Sequence, residues 1–362
     1  MKITKPTLLL DKQKCRKNIK QMTEKAKRND LIFRPHFKTH QSRQIAEWFK
    51  EFGVEKITVS SVEMAKYFSN SGWKDITIAF PFNQLEITEI NELAEKIDLK
   101  ILLIHPESVD FLNKNLTQKI GVFIELDCDY HRSGIPIENL EEIDFLISAI
   151  VKVKKLKLEG FLTHSGQTYQ TKSTSQILQI HQEVKSKMIK LKEKYSSQFP
   201  DLKTSIGDTP SCSLADNFSG IDEIRPGNFV FFDVMQYKLG ACKAKHIAVS
   251  VACPIVSKNE QRKEVVIYGG AVHLSKEFIL NEDGTRNFGL IVKLTENGWS
   301  EPIEGAYVSS LSQEHGIAKV SKENYNDFKI GDVVGILPIH SCLTANLMGK
   351  YITLEGEEIH HM

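Results

Sequence analysis

The dominant pattern of this sequence is a repeated alternation of short apolar runs with segments of helical spacing, from about residue 12 to residue 235. Strands are predicted at residues 31–33, 56–60, 76–80, 100–104, 120–126, 158–162, 204–206 and 223–225. Helices are predicted near 12–29, 41–51, 62–70, 86–97, 106–115, 137–153 and 172–195. Eight such units predict an α/β fold, a parallel (β/α)8 barrel of the TIM type, with a doubly wound open sheet as the structural alternative.

The pattern changes near residue 239. Short β-rich runs at 246–251, 264–268, 289–293 and 332–337 are separated by turns and show no long helical period, which predicts an all-β domain. The short apolar run Thr7–Leu10 could pair into this domain. We therefore expect a barrel of residues 12–238 and a β-domain made from residues 1–11 and 239–362.

Composition and charge exclude several classes of protein. The chain has 362 residues, 41% of them hydrophobic, and 47 basic against 46 acidic residues give a net charge of +1. This balance argues against nucleic acid or an anionic membrane as a partner. The first apolar run is too short for a signal peptide, so we expect a cytoplasmic protein. Six scattered cysteines without paired spacing argue against a disulfide framework.

One lysine stands in a polar segment directly after the first predicted barrel strand. The segment 33–40 places Lys38 among His36, His40 and Arg34. Catalytic side chains of such barrels lie at the carboxyl ends of the strands. A desolvated lysine with cationic neighbours has a lowered pKa and can act as a Schiff-base nucleophile. The alternative is a solvated lysine at a strand end.

The loops after strands seven and eight carry small residues and hydroxyl groups. They span residues 207–211, with the sequence Gly-Asp-Thr-Pro-Ser, and 225–228, with the sequence Arg-Pro-Gly-Asn. An anion needs convergent donors and close backbone approach, and barrel phosphate sites form at these two positions. Each segment is also an ordinary turn sequence. Their joint placement favours a phosphate site.

A histidine and a cysteine stand two residues apart near the end of the chain. On an extended segment His340 and Cys342 would point the same way. An imidazole and a thiolate form a soft donor set that suits Zn²⁺. Catalytic zinc usually has at least three protein ligands, so packing is the alternative for this pair.

The assembled motifs resemble the D-serine dehydratase and D-threonine aldolase family of pyridoxal-phosphate enzymes, which share the alanine racemase fold (fold type III). The resemblance covers essentially the whole chain, in order, at residues 6–11, 34–40, 131–134, 164–166 with Tyr169, 207–211, 225–228 with 231–233, 311–316 and 340–342. It implies a barrel that carries pyridoxal 5'-phosphate, a β-domain formed by both chain ends, and a homodimer.

The resemblance also implies roles for individual residues. Lys38 would bind the cofactor covalently, Thr209, Gly227 and Asn228 would hold its phosphate, Tyr169 would contact it, Arg132 would lie near its phenolic oxygen, and His340 with Cys342 would bind a divalent metal, Zn²⁺ or else Mn²⁺ or Mg²⁺. By analogy with alanine racemases, Arg225 would be the partner of the pyridine nitrogen or would bridge the barrel end. Asp208 departs from the small polar residue expected beside a phosphate.

The implied activity is elimination of the β-hydroxyl of a β-hydroxy-D-amino acid, such as D-serine or 3-hydroxyaspartate, to a keto acid and ammonia. The family's aldolases carry an aspartate where Cys342 stands, so this chain looks more like the dehydratase branch. The alternatives are cleavage of the Cα–Cβ bond as in D-threonine aldolase, an amino acid racemase, and a non-catalytic carrier of pyridoxal phosphate.

Overall fold

The structure is a computed structural model that describes residues 2–362. Its strands, in chain order, are β1 (Thr7–Leu10), β2 (Ile32–Phe33), β3 (Lys56–Val59), β4 (Asp75–Pro81), β5 (Asp98–Leu103), β6 (Ile120–Asp127), β7 (Ile135–Pro136), β8 (Leu156–Thr163), β9 (Lys203–Ile206), β10 (Glu223–Ile224), β11 (Val249–Asn259), β12 (Glu264–Tyr268), β13 (Ile279–Leu280), β14 (Arg286–Asn287), β15 (Gly289–Thr295), β16 (Gly298–Trp299), β17 (Tyr307–Leu311), β18 (His315–Lys319), β19 (Val333–Pro338), β20 (Lys350–Thr353) and β21 (Glu358–His360).

The α-helices follow the predicted segments closely, with additional short helices near the strand ends. They are α1 (Lys12–Arg28), α2 (Arg43–Lys50), α3 (Val62–Ser69), α4 (Ile87–Ala94), α5 (Pro106–Asn115), α6 (Leu140–Val151), α7 (Thr174–Ser196), α8 (Thr209–Leu214), α9 (Val234–Lys238), α10 (Ala271–Leu274) and α11 (Ser341–Met348). The chain divides into two compact units, one of residues 21–38 and 49–227 and one of residues up to 20, 39–48 and 228–362. The domain bounds expected from the sequence stay a prediction.

The first unit contains the predicted barrel. Eight parallel strands run in the order β2-β10-β9-β8-β6-β5-β4-β3, and the short β7 pairs with β6. The two end strands approach each other, because His36 and Thr58 form an isolated parallel bridge and the backbone N–H of Thr58 donates to the carbonyl of Pro35 at 2.9 Å. The nearly closed barrel confirms the predicted fold, and the open-sheet alternative is wrong.

The barrel strands are buried along most of their length, as expected for a parallel sheet covered by helices. Leu102, Phe123 and Leu162, which lie on three neighbouring strands, pack together with Ala79. Burial of these apolar side chains stabilises the strand order that places the loops carrying Lys38, Tyr169 and Arg225 at the carboxyl ends of the strands.

The second unit is built on a ten-stranded, mostly antiparallel sheet. Thr7–Leu10 pairs antiparallel with β11 and parallel with β20, which confirms that the start of the chain joins the β-rich unit. The strand expected from residue 246 begins instead at Val249, because Ala244–His246 forms a 3₁₀ turn. None of the helices within residues 2–362 has both the length and the hydropathy needed to cross a bilayer.

Candidate cofactor and metal site

Lys38 lies in a 3₁₀ turn, Phe37–Thr39, that follows β2 directly. The ring of Phe37 is fully buried and lies 5.0 Å from that of Trp73, centroid to centroid, so aromatic packing fixes this turn. The Lys38 side chain is exposed. Its neighbours Phe37 and Thr39 are fully buried, and the role of Lys38 as the cofactor lysine stays a prediction.

Cationic side chains lie near two histidines close to Lys38, the buried His36 and the half-buried His164. Burial lowers the pKa of His36 well below its usual value, and the charges of Lys38 and Arg225 lower it further. Burial lowers the pKa of His164 to about 3, with further contributions from Lys38 and Arg132. Both imidazoles are thus neutral at pH 7. Lys38, Arg132 and Arg225 all act on His36, so they form one positively charged neighbourhood, which attracts anionic ligand groups.

The loop that carries Arg132 is held by the carboxylate of Asp127, which ends β6. This carboxylate accepts hydrogen bonds from the backbone N–H groups of Tyr130 at 2.8 Å and His131 at 3.0 Å. The Arg132 guanidinium lies 5.4 Å from the centroid of the Tyr130 ring. A Cβ atom at Gly166 would lie 2.1 Å from Cζ of Tyr130, so only glycine leaves room for this ring.

Tyr169 and Thr209 are in contact at the start of α8. The backbone N–H of Thr209 donates to the Tyr169 hydroxyl at 3.2 Å. The Thr209 hydroxyl is buried and has no hydrogen-bond partner among residues 2–362. A buried hydroxyl without a partner costs free energy, and an oxygen-rich group such as a phosphate would satisfy it. Thr209 therefore fits the phosphate role, and Tyr169 the cofactor contact, that the resemblance implies, and both roles stay predictions.

Asp208, which stands where a small polar residue is expected beside a phosphate, caps α8. Its Oδ1 accepts from the backbone N–H of Ser211 at 2.6 Å and from the Thr168 hydroxyl at 3.1 Å. Burial raises the pKa of Asp208 to about 6, although these hydrogen bonds favour the charged form. The carboxylate is thus engaged in local hydrogen bonds rather than presented to a ligand.

Arg225 is buried in a hydrogen-bonded chain beneath the strand ends. Its Nε donates to Oγ of Ser205 at 2.7 Å and its Nη2 to the carbonyl of Thr163 at 2.6 Å. The Ser205 hydroxyl donates to Glu223 at 2.6 Å, and the other oxygen of Glu223 accepts from Nε of Arg34 at 2.7 Å. Burial lowers the pKa of Arg225 to about 10, which leaves it a cation at neutral pH. These bonds are those of a structural residue at the barrel end, and a role of Arg225 as partner of the pyridine nitrogen stays a prediction.

The segment after Arg225 contains the two remaining residues predicted to hold a phosphate. Gly227 joins Pro226 to Asn228. The side-chain amide of Asn228 donates to Oδ2 of Asp233 at 2.6 Å and to Oγ of Ser341 at 3.0 Å. Because this amide is engaged, a phosphate contact at Asn228 would use its backbone N–H, and that role of Gly227 and Asn228 stays a prediction.

His340 and Cys342 are hydrogen-bonded to each other through their side chains. The segment is not extended throughout, in contrast to the expectation from the sequence, because only His340 is extended, as the N-cap of α11, and Cys342 lies in the first turn of that helix. Burial opposes the charge on His340, but the thiolate of Cys342 raises the pKa of His340 to about 9. Burial likewise raises the pKa of Cys342, yet the His340 charge and hydrogen bond lower it below its usual value. Each side chain of the pair thus favours the charged form of the other.

Two further groups contact the Cys342 sulfur. The Thr39 hydroxyl lies 3.2 Å from Sγ, and the Asn228 amide nitrogen lies 3.6 Å from it. Within the described part of the chain, no group of three or more histidine, cysteine or acidic side chains could hold a metal ion. His340 and Cys342 thus fit a metal as two protein ligands, with water or substrate completing the coordination.

Sequence reasoning missed Thr39, Ser205, Asp233 and Glu223. Each makes its contact with a residue distant in the sequence, so no local pattern indicates the partner. The one available signal of these contacts is the presence of Ser205 in the buried strand β9 and of Glu223 in the buried strand β10. Polar and acidic residues are rarely buried without partners.

Two family models match the chain in succession. The model described as "Alanine racemase, N-terminal domain" matches residues 10–234, and the model described as "Putative serine dehydratase domain" matches residues 248–354.

The chain is also similar to named relatives and solved structures. It is 30% identical to a D-serine dehydratase from Dictyostelium discoideum, over 97% of this chain and 93% of that protein. A structure of D-threo-3-hydroxyaspartate dehydratase from Delftia sp. HT23 superposes with a TM-score of 0.90 at 21% identity, covering 99% of this chain and 98% of that one. A metal-free form of a variant of D-threo-3-hydroxyaspartate dehydratase, with one cysteine replaced by alanine, superposes with a TM-score of 0.88 at 22% identity, again over 99% and 98%.

The racemase-domain match over more than half of the chain and the relative that is 30% identical along nearly the whole length place the protein in a family. The chain belongs to the alanine racemase-type family that includes D-serine dehydratase.

Proposed function

We propose that this protein is a lyase, dependent on pyridoxal phosphate and a divalent metal, that removes the β-hydroxyl of a β-hydroxy-D-amino acid to give a keto acid and ammonia. The observation that carries the proposal is the pairing of His340 with Cys342, whose sulfur also contacts Thr39 and Asn228. Hydroxide is a poor leaving group, so elimination benefits from a Lewis acid in a way that racemisation does not.

The residues present fit pyridoxal phosphate. Thr209 offers a buried hydroxyl without a partner, and Tyr169 lies against its backbone. Arg132 and Arg225, whose charges both act on His164, would add positive charge near the phenolic oxygen and near the ring nitrogen, respectively. When bound, the cofactor would supply an electron sink for the bond broken at Cα.

Lys38 would act as both anchor and base. Lys38 is exposed in a turn whose neighbouring side chains are fully buried, so packing fixes the backbone that carries it. Nζ would first bind the cofactor covalently and, once released, would take the proton from Cα of the substrate. His36 and His164 would stay neutral, since their pKa values lie far below 7. One base on one face accounts for the use of one enantiomer.

His340 and Cys342 would bind the metal, which would draw electron density from the β-hydroxyl of the substrate. A thiolate and an imidazole favour Zn²⁺ over Mg²⁺ because soft ligands prefer the softer ion. The metal-free cysteine variant of D-threo-3-hydroxyaspartate dehydratase supports a metal role for a cysteine in a protein of the same fold. The homodimer and the cytoplasmic location expected from the sequence belong to the same proposal.

The test is an assay of purified protein with D-serine, D-threo-3-hydroxyaspartate and D-threonine, with and without EDTA. We expect keto acid and ammonia from at least one substrate, loss of turnover on chelation, and recovery on addition of Zn²⁺. Glycine and an aldehyde would instead indicate the aldolase reaction. Full turnover in EDTA would contradict the metal role of His340 and Cys342, and a Cys342→Ala variant provides the matched control.

A further inference from the structure

The buried carboxylate of Asp233 joins two parts of the second unit that are far apart in the sequence. Its Oδ1 accepts from the backbone N–H of Gln236 at 3.0 Å and so caps α9. Its Oδ2 accepts from the Asn228 amide at 2.6 Å and from the backbone N–H of Ser341 at 3.0 Å. With only 1% of its surface exposed, Asp233 accepts these bonds away from water. Charge-assisted hydrogen bonds of this kind are short and directional.

Asp233 contacts the segment of His340 and Cys342 by accepting a hydrogen bond from the backbone N–H of Ser341. Ser341 stands between the two residues and is the first residue of α11. The first N–H groups of a helix have no partner inside the helix, and the His340 side chain makes no capping bond. The Asp233 carboxylate takes the place of that cap. It thereby fixes the peptide that sets the direction of both flanking side chains.

A second path leads from Asp233 to the sulfur through Asn228. Because the carboxylate can only accept hydrogen bonds, the NH₂ group of Asn228 and not its oxygen must face Asp233. The same NH₂ group lies 3.6 Å from Sγ of Cys342. Asp233 thus orients the donor that contacts the thiolate.

We propose that Asp233 is a positioning residue for the metal site, which holds His340 and Cys342 in the arrangement that binds the ion. This inference rests on the proposed function, since it takes that pair as the metal ligands. Asp233 acts through Ser341 and Asn228 and is not itself a ligand, because no third acidic, histidine or cysteine side chain joins the pair within residues 2–362. Removal of such a supporting group typically weakens metal binding by about 10- to 100-fold.

The experiment measures zinc affinity by competition with a chromogenic chelator, on the full chain with its cofactor bound and its metal removed. Asp233→Asn keeps the size of the side chain but removes its charge and turns an NH₂ group either toward the Asn228 and Ser341 donors or toward the Gln236 N–H. We expect its zinc affinity to fall by about 10- to 100-fold relative to the unmodified chain. The matched control is Ser61→Ala, which removes the cap of α3 in the other unit and should leave the zinc affinity unchanged.

Thermal unfolding of the metal-free proteins, measured in parallel, separates a positioning role from a structural one. A lower melting temperature for Asp233→Asn with unchanged zinc affinity would overturn the inference. If Asp233→Asn does not fold, Asn228→Ala decides the question: zinc binding weakened about tenfold or more supports the positioning path, and unchanged affinity overturns it. Cys342→Ala tests the proposed function separately, because zinc binding that survives this change would mean that the pair is not the metal site at all.

Discussion

The hydroxyl of Thr39 lies 3.2 Å from the sulfur of Cys342, and Thr39 is the residue that follows Lys38 in the sequence. The residue next to the proposed cofactor lysine therefore contacts a proposed metal ligand. A hydroxyl that donates to a thiolate stabilises its charged form, which is one reason why the pKa of Cys342 lies below its usual value. The reactivity of the Cys342 thiol should therefore depend on this contact and can be used to test it.

In the metal-free protein, Cys342 should be alkylated before any other cysteine. The five other cysteines are buried, and burial raises the pKa of each, whereas the pKa of Cys342 is lowered. Since the thiolate is the nucleophile, a limiting amount of iodoacetamide at pH 7 should modify Cys342 first, as read by peptide mass spectrometry.

Thr39→Val tests the contribution of the hydroxyl, because it keeps the shape of the side chain and removes the donor. The pKa of Cys342 should rise, and the pH profile of alkylation should move to higher pH. Bound Zn²⁺ should protect the thiol in both proteins. Preferential labelling of a different cysteine would show that the described environment of Cys342 is wrong.

Glu223 should be the most sensitive member of the buried chain beneath Arg225. It accepts from Ser205 and from Arg34. Glu223→Gln therefore removes the negative charge that acts most strongly on the buried Arg225 and one of the two carboxylates paired with Arg34, the other being Asp75. Breaking a buried ion pair in this way costs about 3–5 kcal/mol of unfolding free energy, measured by urea denaturation. Ser205→Ala removes a neutral group and should cost less, about 1–3 kcal/mol. A larger loss for Ser205→Ala than for Glu223→Gln would contradict the chain of contacts.

Asp208→Asn should change how stability depends on pH. The pKa of Asp208 is raised from 3.8 to about 6 in the folded state. Its contribution to stability, which comes from the protonated form, is therefore fully present below pH 3.8 and is lost as the pH rises through about 6. A shift of two units corresponds to about 3 kcal/mol. Asparagine also caps helices but does not ionise. The unfolding free energy of the variant should therefore rise relative to that of the unmodified chain as the pH is raised from 4 to 7.

The check on this prediction is the difference in unfolding free energy between the two proteins at pH 4 and at pH 7. An equal difference at pH 4 and at pH 7 would mean that Asp208 does not titrate between these pH values. A variant that is favoured more at pH 4 than at pH 7 would mean that the pKa of Asp208 is lowered in the folded state and not raised.

The sequence was sufficient to predict the barrel because each strand and helix has its own hydrophobic periodicity. The count of eight strands then indicates a closed barrel. The helix α8 could also have been predicted, since Asp208 followed by Thr209 and Pro210 is a recognisable helix start. The bend at His340 could not, because it depends on Asp233, which is 108 residues earlier in the chain. The contacts among Arg34, Ser205 and Glu223 require the strand order β2-β10-β9, which local patterns do not contain.

The central claim is that Lys38 carries the cofactor, and reductive trapping tests it most directly. Borohydride reduces the carbon–nitrogen double bond between a lysine and pyridoxal phosphate to a stable secondary amine, which is located by peptide mass spectrometry. We predict a phosphopyridoxyl group on Lys38, and loss of both this label and the visible absorption of the protein in Lys38→Ala. A label on a different lysine, or visible absorption that persists in Lys38→Ala, would contradict the account.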